Sequence, residues 1–186
     1  MRTRLRGAIR GLAPYWLAAV GLFGAGFLLG WAASVSPGGT PFFPVREHGL
    51  TAVAADALFV HNATIALAMA AGGLLFGLPV VGLLSFNGFV LGSVTAGIVD
   101  ARGLVETVAL LAPHGVVELS ALWLAGAVGL RWTHVVWRTA RGDRHETGLV
   151  TLAGESVGWV VLVLALLAVA AVVEASVTPW VARVVT

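Results

Sequence analysis

Five separate stretches of this chain run for about twenty residues almost without charge, the length a helix needs to cross the hydrocarbon core of a bilayer. No other property narrows the fold as much. The stretches lie at 14–34, 60–78, 80–98, 108–130 and 157–177. Each is continuous, whereas a membrane β-strand alternates lipid-facing and lumen-facing residues over about ten positions. The reading is therefore an all-α, polytopic bundle of about five transmembrane helices forming one integral membrane domain over 1–186. Composition agrees: 59% of residues are apolar and 11% charged, against about 45–50% and about 25% in soluble domains. These values exclude a cytosolic enzyme, a disordered chain and a nucleic-acid-binding domain. There is no Cys, which removes disulfides, thiolate nucleophiles and Cys-based metal sites.

Charge sets the expected orientation. All 11 cations are Arg, and they cluster between the apolar runs. Arg2, Arg4, Arg6 and Arg10 precede the first run, and Arg131, Arg138, Arg141 and Arg144 separate the fourth from the fifth. In a five-span chain these groups share one side, and only Arg46, Arg102 and Arg183 fall on the other. The positive-inside rule then puts the chain in the cell membrane with the N-terminus cytoplasmic and the C-terminus outside. Tyr15, Trp16, Trp132 and Trp159 fall near inner ends, Trp31 and Trp180 near outer ones, as interfacial aromatic belts do. The first run is too long for the apolar core of a usual signal peptide, so it reads as a retained helix.

Between the spans, residues 36–41 read as a turn-rich external loop. Residues 51–60, with Val53, Ala54, Ala57 and Leu58 at helical spacing, read as an interfacial amphipathic helix leading into the second span. Gly77, Pro79 and Gly82 leave almost no link between spans two and three, a tight hairpin. Residues 131–151 read as a polar inner loop whose four arginines can contact anionic headgroups. His48, His134 and His145 then lie in solvated loops, and Glu155 sits in water at the inner interface. Lipid gives helices no hydrophobic reason to associate, so small residues that admit close backbone approach must do it. Gly26 and Gly30, Gly73 and Gly77, Gly88 with Gly92 and Ala96, and Ala121 with Ala125 and Gly129 supply such stripes.

Ionisable and amide groups inside spans are few, and each is costly there, about 2.5–3.5 kcal/mol for a charge at mid-bilayer. They are His61 and Asn62 in span two, Asn87 in span three, His114 and Glu118 in span four, and Glu174 near the end of span five. In the five-span topology most of them fall in the outer half of the membrane. Pro113 starts or kinks the working part of span four, which sets His114 and Glu118 one turn apart on one face. The plain reading of this polar cluster is an interhelical hydrogen-bond network; the sharper one is an outward pocket for a proton, a metal or a polar substrate. His61, His114, Glu118 and Glu174 are the only metal-ligand candidates, and without an HExxH spacing no cofactor is assigned beyond a possible divalent ion. No residue is given a catalytic role. Asn62-Ala63-Thr64 is a glycosylation sequon, but inside a span it is unused.

The run Pro113-His114-Gly115-Val116-Val117-Glu118-Leu119-Ser120-Ala121 resembles the PHGxxEL-x-A signature of the stage II sporulation protein M family. Phe59-Val60-His61-Asn62, Asn87-Gly88 followed by Gly92, and Glu174-Ala175 followed by Thr178-Pro179 also match it. Together they cover 58–180. The resemblance implies a multi-pass membrane component without established enzymatic activity; the family's namesake in spore formers works in an engulfment complex beside a cell-wall hydrolase. The expected function is thus a non-catalytic scaffold in the bilayer, using its bundle and its outward polar pocket to hold other membrane proteins, a second copy of itself or a lipid. The alternatives are an intramembrane metal-dependent hydrolase and a small transporter, the latter suggested by Asn87 and Pro113 interrupting central spans.

Overall fold

The computed structural model describes residues 2–35, 55–143 and 149–176, with the backbone alone at 2–6, 110 and 114. Among these residues the chain is helical throughout, with no strand: α1 (Arg2–Val35), α2 (Ala55–Gly72) ending in a 3₁₀ turn (Gly73–Leu75), α3 (Leu78–Arg102), α4 (Leu104–Ala140) and α5 (Leu149–Ser176). Four are long and apolar enough to cross a membrane, and α4, bent in the middle, makes a fifth if its two limbs count as one span. The multi-pass α-helical bundle is therefore the fold. Several expectations lie outside the described residues: the loop at 36–41, residues 51–54, His48, His145, Trp180, Arg46, Arg144 and Arg183.

Two glycine turns set the connectivity. After the 3₁₀ turn, Phe76 (φ 56°) and Gly77 (φ 81°) both take left-handed backbone, so the chain reverses within two residues, and Pro79 in the first turn of α3 fits the fixed φ of proline. A Cβ on Gly77 would also meet the Thr133 side chain at 2.6 Å. Gly73 and Gly77 therefore do not form the helix stripe their spacing suggested: one sits in the 3₁₀ turn, the other in the reversal. Gly103 (φ 83°) alone joins α3 to α4, and its carbonyl accepts from the Thr107 N–H at 3.2 Å and the Thr107 hydroxyl at 2.8 Å.

Helix contacts are closest where side chains are absent. α1 and α3 run parallel, and an added Cβ at Gly26 would strike the Ser85 carbonyl, at Gly30 the Phe89 carbonyl, at Gly88 the Phe23 carbonyl and at Gly92 the Phe27 carbonyl. Each would come nearer than 3.0 Å to backbone. The two Gly-xxx-Gly faces thus lie against each other, a geometry that gains dispersion and weak Cα–H···O contacts without help from water. Ser34 Oγ and Ser93 Oγ, 2.8 Å apart, continue the same seam. α2 and α4 cross similarly, with Gly73 against the Gly129 carbonyl and Gly129 against that of Met69. Around that crossing Ala66, Met69, Val80, Leu84, Ala121 and Ala125 are fully buried.

Two polar boundaries differ from the sequence reading. Residues 131–140 are not loop but the last turns of α4, because arginine and aromatic side chains at a span end reach the interface while their backbone stays helical. His134 accordingly sits on a helix rather than in a loop. Residues 55–60 are the opening turns of α2 itself, continuous with the span.

Candidate functional site

The bend in α4 shapes one end of the bundle. Pro113 lacks an N–H, and its ring collides with the carbonyl four residues back. The limbs Leu104–Pro113 and Gly115–Ala140 accordingly meet at 59°. Bending opens a cleft of about 350 Å³ between α1, α3 and both limbs. Phe27, Leu91, Thr95, Leu111, Gly115 and Glu118 are among its walls. Leu104, Val108 and Val116 at its rim are exposed.

Glu118 is half-buried in this cleft. Glu174 is also half-buried, on α5, which packs against α4. Antiparallel packing of α4 on α5 puts the two carboxylates toward the same end of the bundle. Asn87, half-buried at the middle of α3, donates its amide to its own helix, the Leu83 carbonyl at 2.8 Å. His61 is exposed on α2 and the neighbouring Asn62 half-buried; the backbone of His114 lies in the bend itself. No hydrogen bond joins any two of His61, Asn62, Asn87, Glu118 and Glu174 among the described residues. Nor do those residues contain three His, Asp or Glu side chains grouped to hold a metal.

Three hydroxyls in the spans behave as the Asn87 amide does. Thr64 donates to the Val60 carbonyl, Thr95 to that of Leu91 and Ser120 to that of Val116, at 2.6 to 2.7 Å. With no water to bond, a polar group in hydrocarbon closes on the backbone one turn back.

A second polar layer lies at the opposite end, and the sequence reading missed it. Arg131 Nη1 on α4 donates to Glu155 Oε2 on α5 at 2.7 Å, with side-chain exposures of only 15% and 30%. Beside that pair Trp132 Nε1 donates to Ser156 Oγ at 2.9 Å, and Ser156 Oγ donates in turn to the Leu152 carbonyl. Glu155 is thus paired rather than left to water. His134 Nδ1 and Tyr15 Oη, 2.6 Å apart, link α4 to α1. The signal was present as two adjacent polar pairs, Arg131-Trp132 and Glu155-Ser156, at facing edges of the fourth and fifth apolar runs.

Fold and site define a polytopic α-helical membrane protein whose intramembrane polar groups are sparse. The family model for stage II sporulation protein M matches residues 19–179, and the chain belongs to that family. The match takes in the first span as well as the Pro113 to Ala121 signature. Comparison with curated proteins and with solved structures gave no match.

Proposed function

We propose that this protein is a non-catalytic component of a membrane complex, using its lipid-embedded helices to hold partner proteins or a second copy of itself. The observation that carries the reading is how its span polar groups are disposed. Asn87, Thr64, Thr95 and Ser120 close on their own helices, leaving packing as the main property of the bundle. Family membership supports it. In this reading His61, Asn62, Asn87, His114, Glu118 and Glu174 line the extracytoplasmic half, with the N-terminus cytoplasmic and the C-terminus outside, on the strength of the arginine distribution. Purification in mild detergent with in-membrane cross-linking tests the proposal. An oligomer or co-eluting membrane protein, reduced in Glu118→Gln, is the expected result; a monomeric, partner-free particle from cross-linked membranes overturns it. Reporter fusions at each terminus test the orientation separately.

A second reading has its own observation. Glu118 is half-buried in the cleft of the bent α4, and with His114 and Glu174, with or without His61, it would supply the ligands of an intramembrane hydrolase using a divalent ion. Elemental analysis of the pure protein decides it: a stoichiometric metal lost in Glu118→Gln favours this reading, and none removes it.

A further inference from the structure

We propose that the outward face of α2 is where two copies of this protein pair in the membrane, the His61 imidazole of each copy donating to the Thr64 hydroxyl oxygen of the other. Ala57, His61, Thr64, Ala68 and Ala71 are all exposed, whereas Ala63, Ala66 and Met69 on the other side of the helix are buried. At 100° per residue the five exposed positions fall within an arc of about 80°. Their alternating steps of four and three form the seam along which helices pair at a shallow angle. One of the five is out of place in lipid. Ionisable side chains within spans nearly always turn to the bundle interior or to a water-filled cavity, yet His61 turns outward and has no hydrogen bond or ion pair among the described residues.

Length fixes the depth of that imidazole. The span Ala55–Leu75 has 21 residues, about 31 Å at 1.5 Å per residue, which only just matches a hydrocarbon core of about 30 Å. His61 lies about 9 Å along the axis from Ala55. Lifting it into the headgroups would draw the Phe76–Gly77 reversal into hydrocarbon, where unpaired backbone is costly. His61 therefore needs a protein neighbour, and the face itself supplies one. Thr64 donates its proton to the Val60 carbonyl at 2.7 Å, which leaves the hydroxyl oxygen as an acceptor; the imidazole brings an N–H. Copies in one bilayer share one orientation, so a two-fold axis along the membrane normal sets α2 beside α2 with equal residues at equal depth. His61 and Thr64 are about one turn apart, and the symmetry makes the bond twice. No Asp, Glu, Lys or Arg occurs from 57 to 75, so two such faces meet without like-charge repulsion, and alanine at 57, 68 and 71 lets the backbones come close. Toward the α2–α3 turn the face borders a groove of about 380 Å³ between α2 and α5, walled by Leu67, Ala71, Leu74, Val157 and Val161 among others. That groove gives room for apolar side chains of the second copy.

Pairing through α2 rests on the scaffold reading, and one experiment separates the two. The chain has no Cys, so single cysteines report contacts without background. Ala57→Cys, Ala68→Cys and Ala71→Cys in the full-length protein, oxidised in the membrane, are expected to form disulfide-linked dimers, because that bond forms only between Cβ atoms about 4 Å apart. Leu29→Cys on α1 and Phe86→Cys on α3, whose native side chains are 66% and 59% exposed, are expected to stay monomeric. In proteoliposomes, energy transfer between labelled copies reads the dissociation constant. His61→Leu should raise it about sevenfold, the loss of two interhelical bonds, and His61→Gln, which keeps a donor, should restore part of it. Helical content by circular dichroism accompanies each variant; the cysteine pattern stands without the His61 variants should either lose it. An oligomer recovered with the α2 cysteines silent overturns pairing through α2 while the scaffold reading stands, and a monomer throughout removes both. Equal cross-linking at Leu29→Cys and Phe86→Cys, capture of a different protein at Ala57→Cys, or pairing unchanged in His61→Leu also overturns the proposal.

Discussion

At the arginine-rich end, α4 reaches α1 through Tyr15 and His134, α5 through Arg131 to Glu155 and Trp132 to Ser156, and the α2–α3 turn through Trp137 to Phe76. Away from that end, in the interior of the spans, Thr64, Asn87, Thr95 and Ser120 each bond to the carbonyl four residues back on the same helix. At the far end of α1 Ser34 and Ser93 make an interhelical bond, and the α1–α3 seam below it rests on glycine. Depth accounts for the difference. Near headgroups, long polar side chains can meet across helices without first leaving water entirely. Deeper, each helix must satisfy its polar groups within itself, and the helices are joined by close contact instead.

This contrast sets the order of effects. The largest belongs to the glycine seam: Gly92→Leu drives a side chain into the Phe27 backbone and should cost about 3 kcal/mol or more. In detergent melts it loses the folded peak, whereas Gly21→Ala, with nothing within 4 Å, melts as the wild type. Equal melting of the two would show that the seam does not hold α1 to α3. Next comes Glu155→Ala, which strands a mostly buried guanidinium and should destabilise by about 2 kcal/mol. A double-mutant cycle with Arg131→Ala checks it, and zero coupling would reduce the pair to a surface contact.

Ser156→Ala deprives the Trp132 N–H of its acceptor and should cost about 1 kcal/mol, within the range of intramembrane hydrogen bonds. The smallest effect is Asn87→Ala, expected below about 0.5 kcal/mol because the lost bond lies within one helix. A loss at Asn87 larger than that at Ser156 would reverse the comparison and show that the amide has an interhelical role.

The helices were legible because the cost of unpaired backbone in hydrocarbon leaves a continuous apolar run one option. The hairpin was legible for a similar reason, since Gly77 and Pro79 permit little else at its tip. The far end of α4 was not: the polarity of residues 131–140 looks like loop, although arginine is a good helix former and the helix simply leaves the membrane. Within the candidate site, the spacing of His114 and Glu118 and the break at Pro113 could be read locally. The pairing of Arg131 with Glu155 depends on how α4 lies against α5.

By itself, then, the sequence determined how many helices form, where the glycine stripes of α1 and α3 lie and which residues are costly in lipid, since these follow from local periodicity and transfer energies. Only the tertiary structure decided that the stripe of α1 meets that of α3, that α4 bends around a cleft, and that His134 of α4 meets Tyr15 of α1. Those outcomes depend on register between helices, and register is chosen by the closest fit of surfaces far apart in the chain.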